Sequence, residues 1–214
     1  IFYMKYSRNI EIYTIFLDYM IYHTISILIY KSSSFLIVFL YKSYLEVENL
    51  SHFDGLTGLY NRLMFMTIFQ KEIHKVKRNQ ENLFLVILDI GDFKPINDTY
   101  GHLVGDEAIK TTAHTLQHLL RTSDTIARFG GDEFVIVLPG VTEITAFNVA
   151  ERIRNRFYKD WSESSGEKEG QGQVSVSIGV VRLRENETAQ QLLMRADAAM
   201  YEAKRLGKNR SVLK

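Results

Sequence analysis

The sequence predicts an α/β domain, a sheet covered by helices, behind a hydrophobic N-terminal helical segment, and three observations predict it. Leu83 to Leu88 is an unbroken apolar run, as expected of a central strand buried on both faces. Two more runs, Thr125 to Phe129 and Phe134 to Leu138, meet at Gly130-Gly131 and read as a hairpin; glycine adopts without strain the positive φ that tight hairpin turns need. Around them, apolar residues recur at helical spacing: Leu63, Phe65, Met66, Phe69 and Ile73; Ile109, Ala113, Leu116, Leu119 and Leu120; Leu192, Leu193, Ala196, Ala199, Met200 and Ala203.

The 214 residues allow one ordinary domain, placed at 53–214, plus a hydrophobic segment and linker at 1–52. A net charge of +1 argues against a broad nucleic-acid-binding surface, and no nucleic-acid partner is expected. The absence of cysteine excludes a disulfide framework and thiolate metal sites.

Residues 1–45 are dominated by Ile, Tyr, Phe, Leu and Ser, with charges at Lys5, Arg8, Glu11, Asp18, Lys31 and Lys42. Membrane association is favoured over a soluble sensory or dimerising helix pair, because such apolar density exposed to water invites aggregation. A spanning helix needs about 20 mostly apolar residues. Ile10 to Tyr30 has the length but includes Glu11, Asp18 and His23, and a span from Tyr19 to Tyr41 puts Lys31 near its middle. From Lys42 to Phe53 the pattern reads as a short connecting helix.

Asp54-Gly55-Leu56-Thr57-Gly58-Leu59-Tyr60-Asn61-Arg62 is a turn and a helix start, with Asp54 and Thr57 as candidate caps. A structural role suits Asp54, Asn61 and Arg62 better than a place in a site. The strand at 83–88 ends in Asp89, a carboxylate at the carboxyl end of a strand, where open α/β sheets bind ligands. A buried carboxylate needs a partner. A cation is favoured over a hydrogen-bonding cap, because Asp132 and Glu133 offer further oxygens.

In Gly91 to Asp106 the glycines and Pro95 mark turns around a short helix, with Phe93, Lys94, Asn97 and Asp106 at fixed points. Capping is the alternative reading of Asn97 and Asp106. Glu107 to Leu120 is a helix whose His114 and His118 have no third ligand and read as a solvated face. Arg121-Thr122-Ser123-Asp124 follows, which alone could be an arginine at a helix end beside a strand-initiating aspartate. In the hairpin, Asp132 and Glu133 project to opposite faces, either as a polar tip or as ligands of a hard cation. Thr142 to Tyr158 reads as a helix carrying Arg152, Ser162 to Gln173 as an exposed loop, and Val174 to Leu183 as a strand in which Gly179 marks a bulge or close approach. Lys204 and Lys208 close the last helix, where the dipole alone favours cations.

In this order the motifs resemble a GGDEF-domain diguanylate cyclase, from Phe53 to Lys214. The resemblance implies a fold like the palm of nucleotidyl cyclases and polymerases, a central, mostly antiparallel sheet flanked by helices with the hairpin beside the Asp89 strand. It implies condensation of two GTP into cyclic di-GMP, a bacterial second messenger, and two pyrophosphates. Asp132, Glu133 and Lys204 would be catalytic. Mg²⁺ or Mn²⁺ would sit on Asp89, the Ile90 carbonyl, Asp132 and Glu133. Phe93 and Lys94 would lie at the phosphates, Lys204 would meet the triphosphate, Asn97 and Asp106 would bond the guanine, and Gly130, Gly131 and Lys208 would complete the substrate-binding set. Arg121 and Asp124, aided by Arg152, would bind the inhibitory product. A homodimer is implied, with the catalytic domain cytoplasmic and anchored to the inner membrane if residues 1–45 insert.

Two departures from the family pattern stand out. Gly91 replaces a second aspartate, and Lys208 stands where arginine is commoner, keeping the charge but losing the planar fork. They leave open a weak or inactive domain acting as a GTP or cyclic di-GMP receptor. A membrane sensor or scaffold, with the domain serving dimerisation, is the third expectation.

Overall fold

The computed structural model describes residues 2–50, 52–165 and 174–214, with side chains for 19–44, 52–161 and 174–214. The chain divides into two units, Ile1–Ser51 and His52–Lys214. The first unit is one helix, α1 (Phe2–Leu50). The connecting helix expected at 42–53 is therefore the end of a longer one, and its Leu45, Val47 and Leu50 side chains lie outside the described residues. Within α1, Tyr19–Tyr44 is long and apolar enough to cross a membrane, and nearly all its side chains are exposed.

The second unit is built on a five-stranded sheet of β1 (Leu83–Ile90), β2 (Thr125–Gly130), β3 (Glu133–Pro139), β4 (Val176–Arg182) and β5 (Ser211–Leu213), in the order β2-β3-β1-β4-β5. All neighbours are antiparallel except β4 and β5, which run parallel. Every residue of β1 is buried, because helices cover both faces of the sheet. Phe84, Val86, Leu88 and Ile90 point to one face, where α3 (Phe93–Tyr100), α4 (His102–Leu119) and α5 (Glu143–Ser165) supply Ile96, Ile109, Leu116, Ile153 and Phe157. Leu83, Leu85 and Ile87 point to the other, against Phe65, Phe69 and Val76 of α2 (Arg62–Asn79) and Leu192, Ala196 and Met200 of α6 (Ala189–Arg205). Alternation across a pleated strand thus makes two cores from one run.

Several local expectations are corrected. Asn61, not Asp54 or Thr57, caps α2, its side chain accepting from the Met64 N–H; Asp54 instead accepts from Thr57 within the preceding turn. Leu63 faces solvent rather than the core. Helix α4 begins at His102, because only Gly101, at φ 84°, breaks it from α3. Helix α5 runs on to Ser165, so the start of the expected 162–173 loop is helical, and 166–173 lie outside the described residues.

Gly179 marks close approach rather than a bulge. A Cβ there would collide with the Ala196 carbonyl and the Met200 N–H, main-chain atoms of α6 that cannot swing aside. Gly179→Ala is expected to destabilise the domain by about 3 kcal/mol, read from urea unfolding. A loss under about 1 kcal/mol would show that α6 is free to lift from the sheet.

Candidate active site

Strand β1 carries Asp89 to its carboxyl end, and the antiparallel registers set Glu133 of β3 opposite it on one side and Ser177 of β4 on the other. Lys204, in the last turn of α6, reaches over this row to within 2.7 Å of the Asp89 carboxylate. Asp89 is 6% exposed. Burial pushes its carboxyl from the ordinary 3.8 up to about 6; Lys204 pulls it back, while Asp132 and Glu133 push it further up. A crowd of carboxylates around a buried one is the electrostatic signature of a place for positive charge.

The shift predicts a pH dependence. Asp89 holds its proton more tightly folded than unfolded, so its contribution favours the fold at low pH and is lost as pH rises from about 4 to about 6. Relative to Asp89→Asn, the metal-free chain should lose about 2 kcal/mol across that window, allowing for solvent screening. Urea unfolding of both proteins at pH 4 and pH 7 measures it, and parallel behaviour would contradict the shift.

The hairpin differs from expectation in its turn. Strand β2 continues through Gly130, which pairs with Glu133, so the turn is Gly131-Asp132, and neither Gly130 nor Gly131 adopts positive φ. The register slips between Arg128 and Gly130, and this bulge at Phe129 supplies the extra twist that a primed turn would otherwise give. Phe129 is held between Phe65, 5.8 Å away edge-on, and the Arg62 guanidinium 4.6 Å above its ring. Arg128 fixes the turn itself. Its Nε and Nη2 donate to the Gly131 carbonyl at 3.0 and 2.7 Å, and its Nη1 donates to both Asp54 oxygens at 3.1 Å. Burial alone would raise Asp54, but hydrogen bonds from Thr57 and Arg128 outweigh it and hold the carboxyl below its ordinary value. The Ile90 N–H donates to the Asp132 carbonyl at 3.2 Å, tying the tip to the end of β1. A Cβ on Gly131 would meet nothing within 4 Å, and one on Gly130 only the Glu133 carboxylate at 3.5 Å. The glycines therefore keep the ground above the carboxylates clear rather than serving the turn.

Helix α3 starts three residues after Ile90, with Phe93 half-buried against the core and Lys94 exposed. Lys208, just past α6, donates to Asp92 at 2.6 Å, which brings the end of α6 to the start of α3. Asn97 of α3 packs against Gly105 of α4, the neighbour in sequence of Asp106. Asn97 Oδ1 is buried without a hydrogen-bond partner, and a Cβ on Gly105 would collide with it. At Gly91 the main chain lies against Ser175, whose carbonyl accepts from the Gly91 N–H at 2.6 Å and would stand 3.2 Å from any Cβ.

A second group lies at the far end of β2, about 20 Å along the strand from the hairpin tip. The Asp124 carboxylate accepts from the Arg121 N–H at 2.9 Å, which leaves the exposed Arg121 guanidinium pointing outward from a closed turn. Arg152 donates to the Leu119 carbonyl at 2.8 Å, at the end of α4. His114 and His118 are exposed, with ring centres 4.0 Å apart and planes tilted by 37°; among the described residues no three His, Cys, Asp or Glu side chains form a metal cluster. A cavity of about 580 Å³, lined by Arg184, Glu187, Gln191 and Arg195 among others, opens at the opposite end of the sheet. Its Glu187 is satisfied by Arg195 and the Arg184 N–H, so it offers structural pairing rather than reactive groups.

Sequence reasoning missed Arg128 and Ser177. The partner of Arg128 is 74 residues away, beyond any local pattern. Ser177 had one signal, a hydroxyl in a strand otherwise apolar at its inward positions.

A family model described as diguanylate cyclase, GGDEF domain, matches residues 51–210. Diguanylate cyclase DosC of Escherichia coli K12 is 39% identical over 157 residues, 73% of this chain and 34% of DosC. Diguanylate cyclase VdcA of Vibrio cholerae O1 is 38% identical over 165 residues, 77% of this chain and 48% of VdcA. The chain thus spans between a third and a half of the length of these curated relatives. Among solved structures, the GGDEF domain of DgcB from Caulobacter crescentus in complex with c-di-GMP superposes with a TM-score of 0.70 at 31% identity, covering 76% of this chain and 95% of that one. The active GGEEF domain of a diguanylate cyclase from Vibrio cholerae gives 0.64 at 33% identity, covering 72% and 96%.

Proposed function

Because the chain belongs to the GGDEF family of diguanylate cyclase domains, we propose that two copies of its second unit together condense two GTP into cyclic di-GMP and two pyrophosphates. The observation that carries this reading is the carboxylate row, buried Asp89 in register with Glu133 of a glycine hairpin and capped by Lys204 at 2.7 Å.

Two oxygen donors on adjacent strands, with open ground over Gly130 and Gly131, fit Mg²⁺ or Mn²⁺, which keep waters and substrate phosphates among their ligands. Asp89, Glu133 and the Ile90 carbonyl would hold the ion, and Asp132, which leaves the hairpin on the opposite face from Glu133, would have to swing in to join them. Bound there, it would neutralise triphosphate charge and acidify the attacking hydroxyl. The rest of the work falls to the chain. Lys204 moves from Asp89 to the phosphates, joined by Lys94 and Lys208 near the start of α3. Asp106 accepts from the guanine N1–H and amine, and the Asn97 amide N–H donates to O6 or N3 of the base. Each 3′-hydroxyl attacks the α-phosphate of the other GTP, forming a new P–O bond as the α–β anhydride bond breaks and pyrophosphate leaves. One domain holds one GTP, so two copies face each other as a homodimer, at least transiently.

Product inhibition fits the second group. The outward Arg121 fork, with Asp124 and Arg152, suits the phosphates and guanine edges of cyclic di-GMP. At about 20 Å from the hairpin it would act at a distance rather than by competition. Tyr19–Tyr44 of α1 would anchor the chain to the inner membrane, leaving the catalytic unit in the cytoplasm.

The test is incubation of the dimeric chain with GTP and Mg²⁺ and chromatography for cyclic di-GMP. Product is expected. None from a dimeric chain that binds GTP would overturn the cyclase reading and put the receptor reading in its place.

A further inference from the structure

We propose that Ser177 is a positioning residue of this site, its hydroxyl donating to the Asp89 carboxylate once Lys204 has left that carboxylate for the nucleotide. The inference rests on the reading above. Ser177 faces Asp89 directly across the β1–β4 ladder, so the two side chains leave the same face of the sheet with Cβ atoms about 5 Å apart. Its Oγ is completely buried and has no hydrogen-bond partner. Buried hydroxyls are nearly always paired, and an interior strand position prefers alanine or valine to an orphan donor. An unpaired group kept at such a place points to a second state in which it is paired.

The chemistry supplies that state. With Lys204 2.7 Å from Oδ2, Asp89 has a full positive partner and makes no demand on a neutral donor. When the lysine leaves, the carboxylate keeps its burial and loses its partner on the α6 side. A hydroxyl anchored in β4 can rotate its proton onto one oxygen, holding the side chain so that the other faces the hairpin. Donors that orient a metal-binding carboxylate in this way tune affinity without touching the ion.

Ser177→Ala in the full chain tests it, with Mn²⁺ and a non-hydrolysable GTP analogue as probes and free Mn²⁺ read by electron paramagnetic resonance. Mn²⁺ uptake is expected to weaken about tenfold. The melting temperature of the metal-free protein is expected to stay or rise, because the variant removes a polar group that had no partner. Uptake within twofold of the parent would overturn the proposal, and so would a drop in metal-free melting temperature, which would make the hydroxyl a structural one. A parent chain that takes up no Mn²⁺ would overturn the metal reading of the whole site, and this inference with it.

Discussion

Glu133→Gln is expected to lower cyclic di-GMP formation by about a thousandfold or more while leaving the domain folded. The substitution keeps the shape of the side chain and removes one of two carboxylates in register across β1 and β3. No further carboxylate stands in register across β1, β3 and β4 to take its place, since Asp89 and Asp132 are already committed in the proposed site. Glu133 is half-buried at the first residue of β3, so unfolding should change by no more than about 0.5 kcal/mol. A readout independent of turnover is available. Glu133 is one of the groups holding the Asp89 carboxyl up, so in the variant Asp89 should titrate lower, as followed by carboxyl-detected NMR. Activity within tenfold of the parent would remove Glu133 from the metal-binding role.

What the sequence made legible depended on whether the governing interaction was local. Strand β1 could be read because both cores demand apolar side chains at every position, and α6 because one stripe packs against one face. The end of α5 could not, since Ser162 to Ser165 extend the helix without any apolar stripe to mark them. The break between α3 and α4 was equally obscure. One glycine in left-handed geometry separates two helices there, whereas glycine and proline spread over the segment suggested a longer turn.

The site divides the same way. Asp89 and Glu133 were legible because a carboxylate at the end of a buried strand is chemically conspicuous. The positive φ expected of Gly130 and Gly131 is absent, since the bulge at Phe129 meets the demand for twist, and what the glycines provide is open space over the hairpin. Asp54, Asn61 and Arg62 were rightly read as structural, yet two of them reach the hairpin: Asp54 through Arg128, and Arg62 over the Phe129 ring. Contacts between segments 74 residues apart leave no periodicity to read.

That long-range contact carries the second large effect. Arg128→Ala should lower turnover about a hundredfold, although the bonds the guanidinium makes are to the Gly131 carbonyl and Asp54 rather than to Asp89 or Glu133. The hairpin tip lacks the usual primed turn, so its position rests on Arg128 at the Gly131 carbonyl and on the Ile90–Asp132 bond. Without the guanidinium, Asp54 keeps only the Thr57 hydrogen bonds to offset its burial, and stability should fall by about 1–3 kcal/mol. Arg128→Lys separates the two consequences. An ammonium can pair with Asp54 or reach Gly131, but it has no planar fork to bridge both, so stability should partly return while turnover stays low. Asp54→Asn, which spares the bonds to Gly131, should lose stability with a much smaller loss of rate. If Asp54→Asn instead cost as much turnover as Arg128→Ala, the opening turn of the domain, rather than the bond to Gly131, would be what holds the hairpin over Asp89.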